Sequence, residues 1–161
     1  MELRAITEKE QQRMLELLTD SVVKQTYMLP DFERKEDAIP LFQRLSTRSE
    51  EANRFVRGIF VDGKVMGFLN DVEIENGSIE LGYVIHPDSW NKGYATAALK
   101  LAIEELFALG YREVVTGAFS GNKASLRVME KAGMQKIDKV DEIDYRGKVH
   151  TCLYYHKENN G

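Results

Sequence analysis

Residues 80–101 read ELGYVIHPDSWNKGYATAALKL. The first six read as a strand, the middle carries a glycine turn around Gly93, and the end opens a long apolar helix. A glycine turn that opens a helix is a ready anion site. The first amides of a helix have no acceptor within it, and the helix dipole adds partial positive charge at the same end. A phosphate or pyrophosphate suits such a turn. Its setting then decides the fold.

On the N-terminal side, residues 55–61 are strand-like, Asp62-Gly63 makes a hairpin turn, residues 65–74 form the partner strand, and Asn76-Gly77 turns the chain into the strand at 78–85. The anion turn therefore follows an antiparallel meander. It does not lie in the first unit of a parallel dinucleotide fold, and the G-x-G-x-x-G fingerprint is missing as well. Before the meander, residues 3–6 form a short strand. Thr7 and Glu10 have capping-box spacing, and Met14, Leu15, Leu17, Leu18, Val22 and Val23 continue a helical stripe. Residues 25–40 are irregular, and a short helix over 40–48 turns Leu41, Phe42 and Leu45 inward.

On the C-terminal side, residues 95–109 form a helix apolar on most sides, with Thr96, Lys100, Glu104 and Glu105 on its narrow wet face. Gly110 stops it, and residues 111–119 form a strand. Strand, helix and strand imply a right-handed crossover and a parallel pair. Asn122 caps a helix over 123–132, Gly133 ends it, and a hairpin over 135–157 closes the chain. The last four residues are polar and expected to fray.

The 161 residues are 43% hydrophobic and 30% charged, which fits a single domain over 1–161. No apolar run is long enough to cross a bilayer, and MELRAITEKE lacks the core of a signal peptide, so a cytoplasmic protein with no membrane partner is expected. The single cysteine, Cys152, allows no internal disulfide. His86, His150 and His156 are scattered, so no metal site is expected. A net charge of −4 without a basic block speaks against nucleic acid.

The segment Trp90-Asn91-Lys92-Gly93-Tyr94-Ala95 resembles the acetyl-CoA signature of the GNAT superfamily of N-acetyltransferases: Gln or Arg, two residues, Gly, one residue, then Gly or Ala. Gly93 and Ala95 match, while Trp90 replaces the usual first residue. Tryptophan followed by GYAT resembles the branch of ribosomal-protein N-terminal acetyltransferases. Ile85-His86-Pro87, the Asn122 to Ser125 spacing, Lys131-Ala132-Gly133-Met134 and the closing hairpin extend the resemblance over nearly the whole chain. It implies an α/β (α+β) single-domain fold. The sheet would be mixed and mostly antiparallel, with about seven strands, a splayed central parallel pair and about four helices.

The resemblance also implies acetyl-CoA as co-substrate and an amine acceptor, a protein N-terminus or a small cationic amine, with a homodimer common in the family. The amides of Asn91, Lys92, Gly93, Tyr94, Ala95 and Thr96 would face the pyrophosphate. Backbone groups of Val84, Ile85 and His86 would pair with the pantetheine arm, and Asn122 would contact it. Direct transfer to an amine needs a base, a polarised carbonyl and a stabilised thiolate. Glu80 is the candidate base and a backbone N–H near Ile85 the polarising group. Many relatives place a tyrosine where this chain has Met129, which cannot donate a proton. Ser125 is the substitute for stabilising the thiolate. Acidic residues recur at Asp71, Glu73 and Glu75 and at Asp138, Asp141, Glu142 and Asp144, a field that attracts a cationic amine or is simply solvated. Met129 also admits another reading, a non-catalytic CoA-binding module.

Overall fold

The computed structural model describes residues 1–160. Its elements are β1 Glu2–Arg4, α1 Gln11–Leu18, α2 Ile39–Arg48, β2 Val56–Val61, β3 Lys64–Glu75, β4 Ser78–Ile85, α3 Tyr94–Ala108, β5 Glu113–Phe119, α4 Lys123–Lys131, β6 Gln135–Tyr145 and β7 Lys148–Glu158. The strands run in the order β1-β2-β3-β4-β5-β7-β6. β4 and β5 pair in parallel from Ser78 opposite Glu113 to Leu81 opposite Thr116. β1 with β2, β2 with β3, β5 with β7 and β6 with β7 are antiparallel. Among the described residues this is the mixed seven-stranded sheet with one parallel pair and four α-helices that the sequence predicts.

The chain forms two compact units. One comprises Met1–Asn70 and Tyr83–Tyr94, the other Asp71–Gly82 and the chain from Ala95 onward. In the first unit the apolar stripe of α1 (Met14, Leu15, Leu17, Leu18) shares a core with Phe42 and Leu45 of α2 and with Val56, Phe60, Val65 and Phe68 of the hairpin. Burial of each such large side chain contributes about 1.5–3 kcal/mol. The Thr7–Glu10 capping box forms, with Glu10 Oε1 accepting the Thr7 N–H at 2.8 Å. It opens a 3-10 turn at Glu8–Glu10 that leads into α1. The backbone of Ile6 is satisfied by serines of the α2 end: its N–H donates to Ser49 Oγ at 2.9 Å and its carbonyl accepts from Ser46 Oγ at 2.6 Å.

The stripe does not continue as one helix to Val23. α1 ends at Leu18, and the Asp20 carboxylate accepts the N–H groups of Val22 and Val23 at 2.8 and 3.0 Å. This local bond competes with helix continuation. Val23 is buried from a 3-10 turn and Val22 is exposed.

In the second unit α3 buries Ala98, Leu99, Ala102, Ile103 and Leu106. Its covered face is shifted from the predicted one: Leu101 lies on the open side, while Thr96 and Glu105, expected on the wet face, are half-buried. On the sheet, Val115, Phe119, Cys152 and Tyr154 form a second apolar cluster, flanked by Ile137, Ile143 and Tyr145. Gly117 makes this packing possible: a Cβ there would lie 2.7 Å from the Tyr154 ring. A glycine inside a strand marks such a close approach. The chain end is not frayed at Glu158 and Asn159. Glu158 is in β7, and the Asn159 N–H donates to Arg112 O at 2.9 Å. Residue 161 lies outside the described residues.

Candidate functional site

A 3-10 turn at Pro87–Ser89 follows β4, and α3 begins at Tyr94. Between them Asn91 (φ 62) and Gly93 (φ 78) both adopt left-handed backbone, and residues 91–93 are exposed. The first four amides from Tyr94 have no acceptor within the helix. A Cβ on Gly93 would meet nothing within 4 Å, so conformation rather than space requires glycine there. The arrangement can hold an anion against a helix start.

Two contacts fix the entry to this turn. Trp90 Nε1–H donates to the Ile85 carbonyl at 2.7 Å, closing the segment over five residues. The Arg13 guanidinium of α1 grips Asp88 with Nη1 and Nη2, each at 2.8 Å, while its Nε–H donates to Val65 O at 3.2 Å. The bond from Arg13 holds the Asp88 carboxyl well below the usual carboxylate range, aided by Ser89. Asp88 in turn raises the Arg13 pKa. His86 Nδ1 lies 3.0 Å from Asp88 Oδ1, and His86 Nε2 lies 4.0 Å from Glu16.

Of the backbone groups expected to meet a cofactor arm, both of His86 and one of Ile85 are engaged within the protein. The His86 N–H donates to Met66 O at 2.7 Å, the His86 carbonyl accepts the Ser89 N–H at 2.8 Å, and the Ile85 carbonyl accepts from Trp90. The remaining candidate for polarising a carbonyl is the Ile85 N–H. The pairing of β4 with β5 covers residues up to Leu81, and β4 runs on to Ile85.

Asn122 and Ser125 are brought together: Asn122 Oδ1 accepts the Ser125 N–H at 3.2 Å as the cap of α4. Capping uses the Asn122 amide oxygen, so a ligand contact through the amide nitrogen is compatible with it. Met129 is fully buried in the core, as an apolar side chain on the inner face of α4 should be.

Glu80 sits on β4 opposite Val115, half-buried. Burial raises its pKa first, Glu73 and Asp141 raise it further, and Lys139 opposes them. A carboxylate made more basic in this way is a better proton acceptor than an exposed glutamate. Among the expected acidic field, Asp71 is buried, Asp141 accepts the Tyr154 hydroxyl at 2.8 Å, and Glu142 accepts from Thr151 at 3.1 Å. These carboxylates are therefore only partly a solvated surface. Cys152 is buried, and burial pushes its thiol up, away from nucleophilic duty. Glu113, whose carboxyl lies below its usual range through His156 and then Ser78, groups with His156 and Glu158 in a trio of potential metal ligands. Its bonds to His156 at 2.6 Å and Ser78 at 2.7 Å account for the Glu113 carboxylate within the protein.

Three features were missed from sequence: the Arg13–Asp88 clamp, the Trp90 latch and the stacking of Lys139 over Tyr154. The last had one signal, Gly117 in mid-strand. The first pairs residues 75 apart and had none.

Comparison with known proteins places this geometry. A family model described as an acetyltransferase (GNAT) domain matches residues 1–135. The Bacillus subtilis protein YoaA, an uncharacterized N-acetyltransferase, is 29% identical over 140 residues, covering 83% of this chain and 78% of that protein. A RimL ribosomal L7/L12 alpha-N-protein acetyltransferase solved with coenzyme A superposes with a TM-score of 0.85 at 18% identity, covering 97% of this chain and 92% of that one. Spermidine N-acetyltransferase from Vibrio cholerae, solved with CoA and spermine, gives 0.81 at 15% identity over 98% and 94%. No helix among the described residues is long and apolar enough to cross a membrane. By the match of its first 135 residues and the order of its strands and helices, the chain belongs to the GNAT acetyltransferase family.

Proposed function

We propose that this protein transfers an acetyl group from acetyl-CoA to a primary amine, a protein N-terminus or a small cationic amine, by direct attack. The observation that carries this reading is the turn at 91–96, with two left-handed residues opening α3 in a GNAT chain. Bound acetyl-CoA would supply the activated acetyl group. The amides of residues 91–96 would hold its pyrophosphate, with Lys92 adding charge. The β4 backbone beyond Leu81, at Val84 and Ile85, would align its arm, with the Asn122 side chain as a further contact; the pairing expected at His86 is dropped, since its N–H and carbonyl are taken by Met66 and Ser89.

In the reaction the amine nitrogen bonds to the acetyl carbon as the carbon–sulfur bond breaks. Glu80 would take the amine proton, directly or through water, and the Ile85 N–H would bear the carbonyl charge. Ser125 would hydrogen-bond the departing thiolate, the role that the buried Met129 cannot fill.

The test is thiol release from acetyl-CoA over a panel of amines and N-terminal peptides, beside a thermal-shift titration with CoA. Acetylated product is expected. Stabilisation by CoA with no product across the panel would instead identify a CoA-binding module, and no stabilisation at saturating CoA would remove both readings.

A further inference from the structure

Lys139 of β6 lies over an aromatic ring of β7. Its Nζ stands 4.4 Å from the centroid of the Tyr154 ring. That ring is buried, rests against Gly117, and has its hydroxyl tied to Asp141 Oδ2 at 2.8 Å, so the aromatic face is held in one orientation. The same Lys139 charge acts on Glu80, against Glu73 and Asp141. An aromatic face flanked by carboxylates attracts an ammonium group through the ring quadrupole and by charge. Here the chain supplies that ammonium itself.

We propose that Lys139 is a specificity-determining residue, the resident cation of the acceptor face, so that the protein favours amines whose reacting nitrogen is their only positive charge and disfavours those carrying a second. This rests on the N-acetyltransferase reading with Glu80 on the acceptor side. A second cation on the acceptor must displace Lys139 from Tyr154 or sit beside it unshielded. Lys139 is exposed, and exposed cation–π contacts are weak, so the discrimination is modest, about five-fold.

The test compares n-butylamine with 1,4-diaminobutane, which differ by one ammonium group on the same carbon chain. The unmodified protein should show kcat/KM about five-fold higher for butylamine. Lys139→Met should bring the two within about two-fold, and Lys139→Arg should keep the preference. Because both amines use the same base, any change in Glu80 cancels in the ratio. A ratio that Lys139→Met leaves unchanged, or a preference for the diamine in the unmodified protein, would overturn the proposal.

Failure of the transferase reading would look different, as no thiol release with any amine. In that event the seat is read without turnover, by NMR of the protein with ¹³C-dimethylated lysines and Lys139→Met for assignment. A Lys139 signal shifted upfield by the Tyr154 ring and returned by 1,4-diaminobutane, but not by butylamine, supports the resident cation. An unshifted signal, or one indifferent to the diamine, refutes it.

Discussion

Arg13 and Asp88 form a two-pronged ion pair, both oxygens of the carboxylate at 2.8 Å from guanidinium nitrogens, joining α1 to the segment that enters the candidate cofactor turn. The Arg13 side chain is 17% exposed and that of Asp88 52%. Solvent screens half of such a pair, so a double-mutant cycle on Arg13→Ala and Asp88→Ala should give a coupling of about 1 kcal/mol. The Asp88 carboxyl is depressed on folding. Its contribution is therefore full above the ordinary carboxylate value near 3.9 and is lost as pH falls below it. Urea denaturation of the four proteins at pH 7 and near pH 3 checks both the size and the sign. A coupling that grows on acidification would contradict the assignment.

Gly93→Val should abolish CoA binding while leaving a folded domain. Valine at a φ of 78 costs about 1–3 kcal/mol and reshapes the turn, yet no neighbour stands in its way. Circular dichroism establishes folding and CoA titration the loss; normal affinity in the variant would remove residues 91–96 from the site.

Glu80→Gln should lower kcat by about 10²–10⁴-fold if Glu80 is the base. The same change should raise thermal stability at neutral pH. A carboxyl whose pKa is raised on folding binds more protons in the folded state, so stability declines as pH climbs through the window between its unfolded and folded values. Glutamine removes that decline. The acidic limb of the rate profile should lie above the ordinary glutamate value, and its persistence in Glu80→Gln would assign the base elsewhere.

Ser125→Ala should reduce kcat about ten-fold and change CoA affinity less than about two-fold, as expected for a hydrogen bond used mainly at the departing thiolate. The α4 cap survives, since Asn122 Oδ1 accepts the backbone N–H of residue 125, which alanine retains. Unchanged turnover in single-turnover measurements excludes the serine from the reaction.

Thr116 is fully buried on β5, and its Oγ1 has no hydrogen-bond partner among the described residues. Thr116→Val keeps the shape and removes the orphaned hydroxyl, so it should stabilise by about 1 kcal/mol, or roughly 2–4 °C in Tm. A comparable loss in calorimetry would mean that the hydroxyl is bonded.

The order of strands and helices was legible because its signals are local. Asn76-Gly77, Gly93, Asn122 and Gly133 each punctuate the chain through their own backbone chemistry, and each stands at a turn or helix end. The end of α1 was misread for a physical reason: Val22 and Val23 continue the apolar spacing, but Asp20 offers their amides a side-chain acceptor. The wider site was less legible. A turn can be recognised from six adjacent residues, whereas Arg13 finds Asp88 only after β3 and β4 are laid side by side. Lys139 looks like one more surface charge until Tyr154 is placed beneath it over Gly117.

The latch from Trp90 to the Ile85 carbonyl has a practical consequence. The chain has one tryptophan, and it stands 40% exposed at the mouth of the anion turn with its indole nitrogen bonded to the strand before it. Intrinsic fluorescence of the unlabelled protein therefore comes from a reporter built into that turn. A ligand that loosens the latch or shields the ring will change the emission colour or intensity, and stopped-flow mixing can time its arrival without any dye.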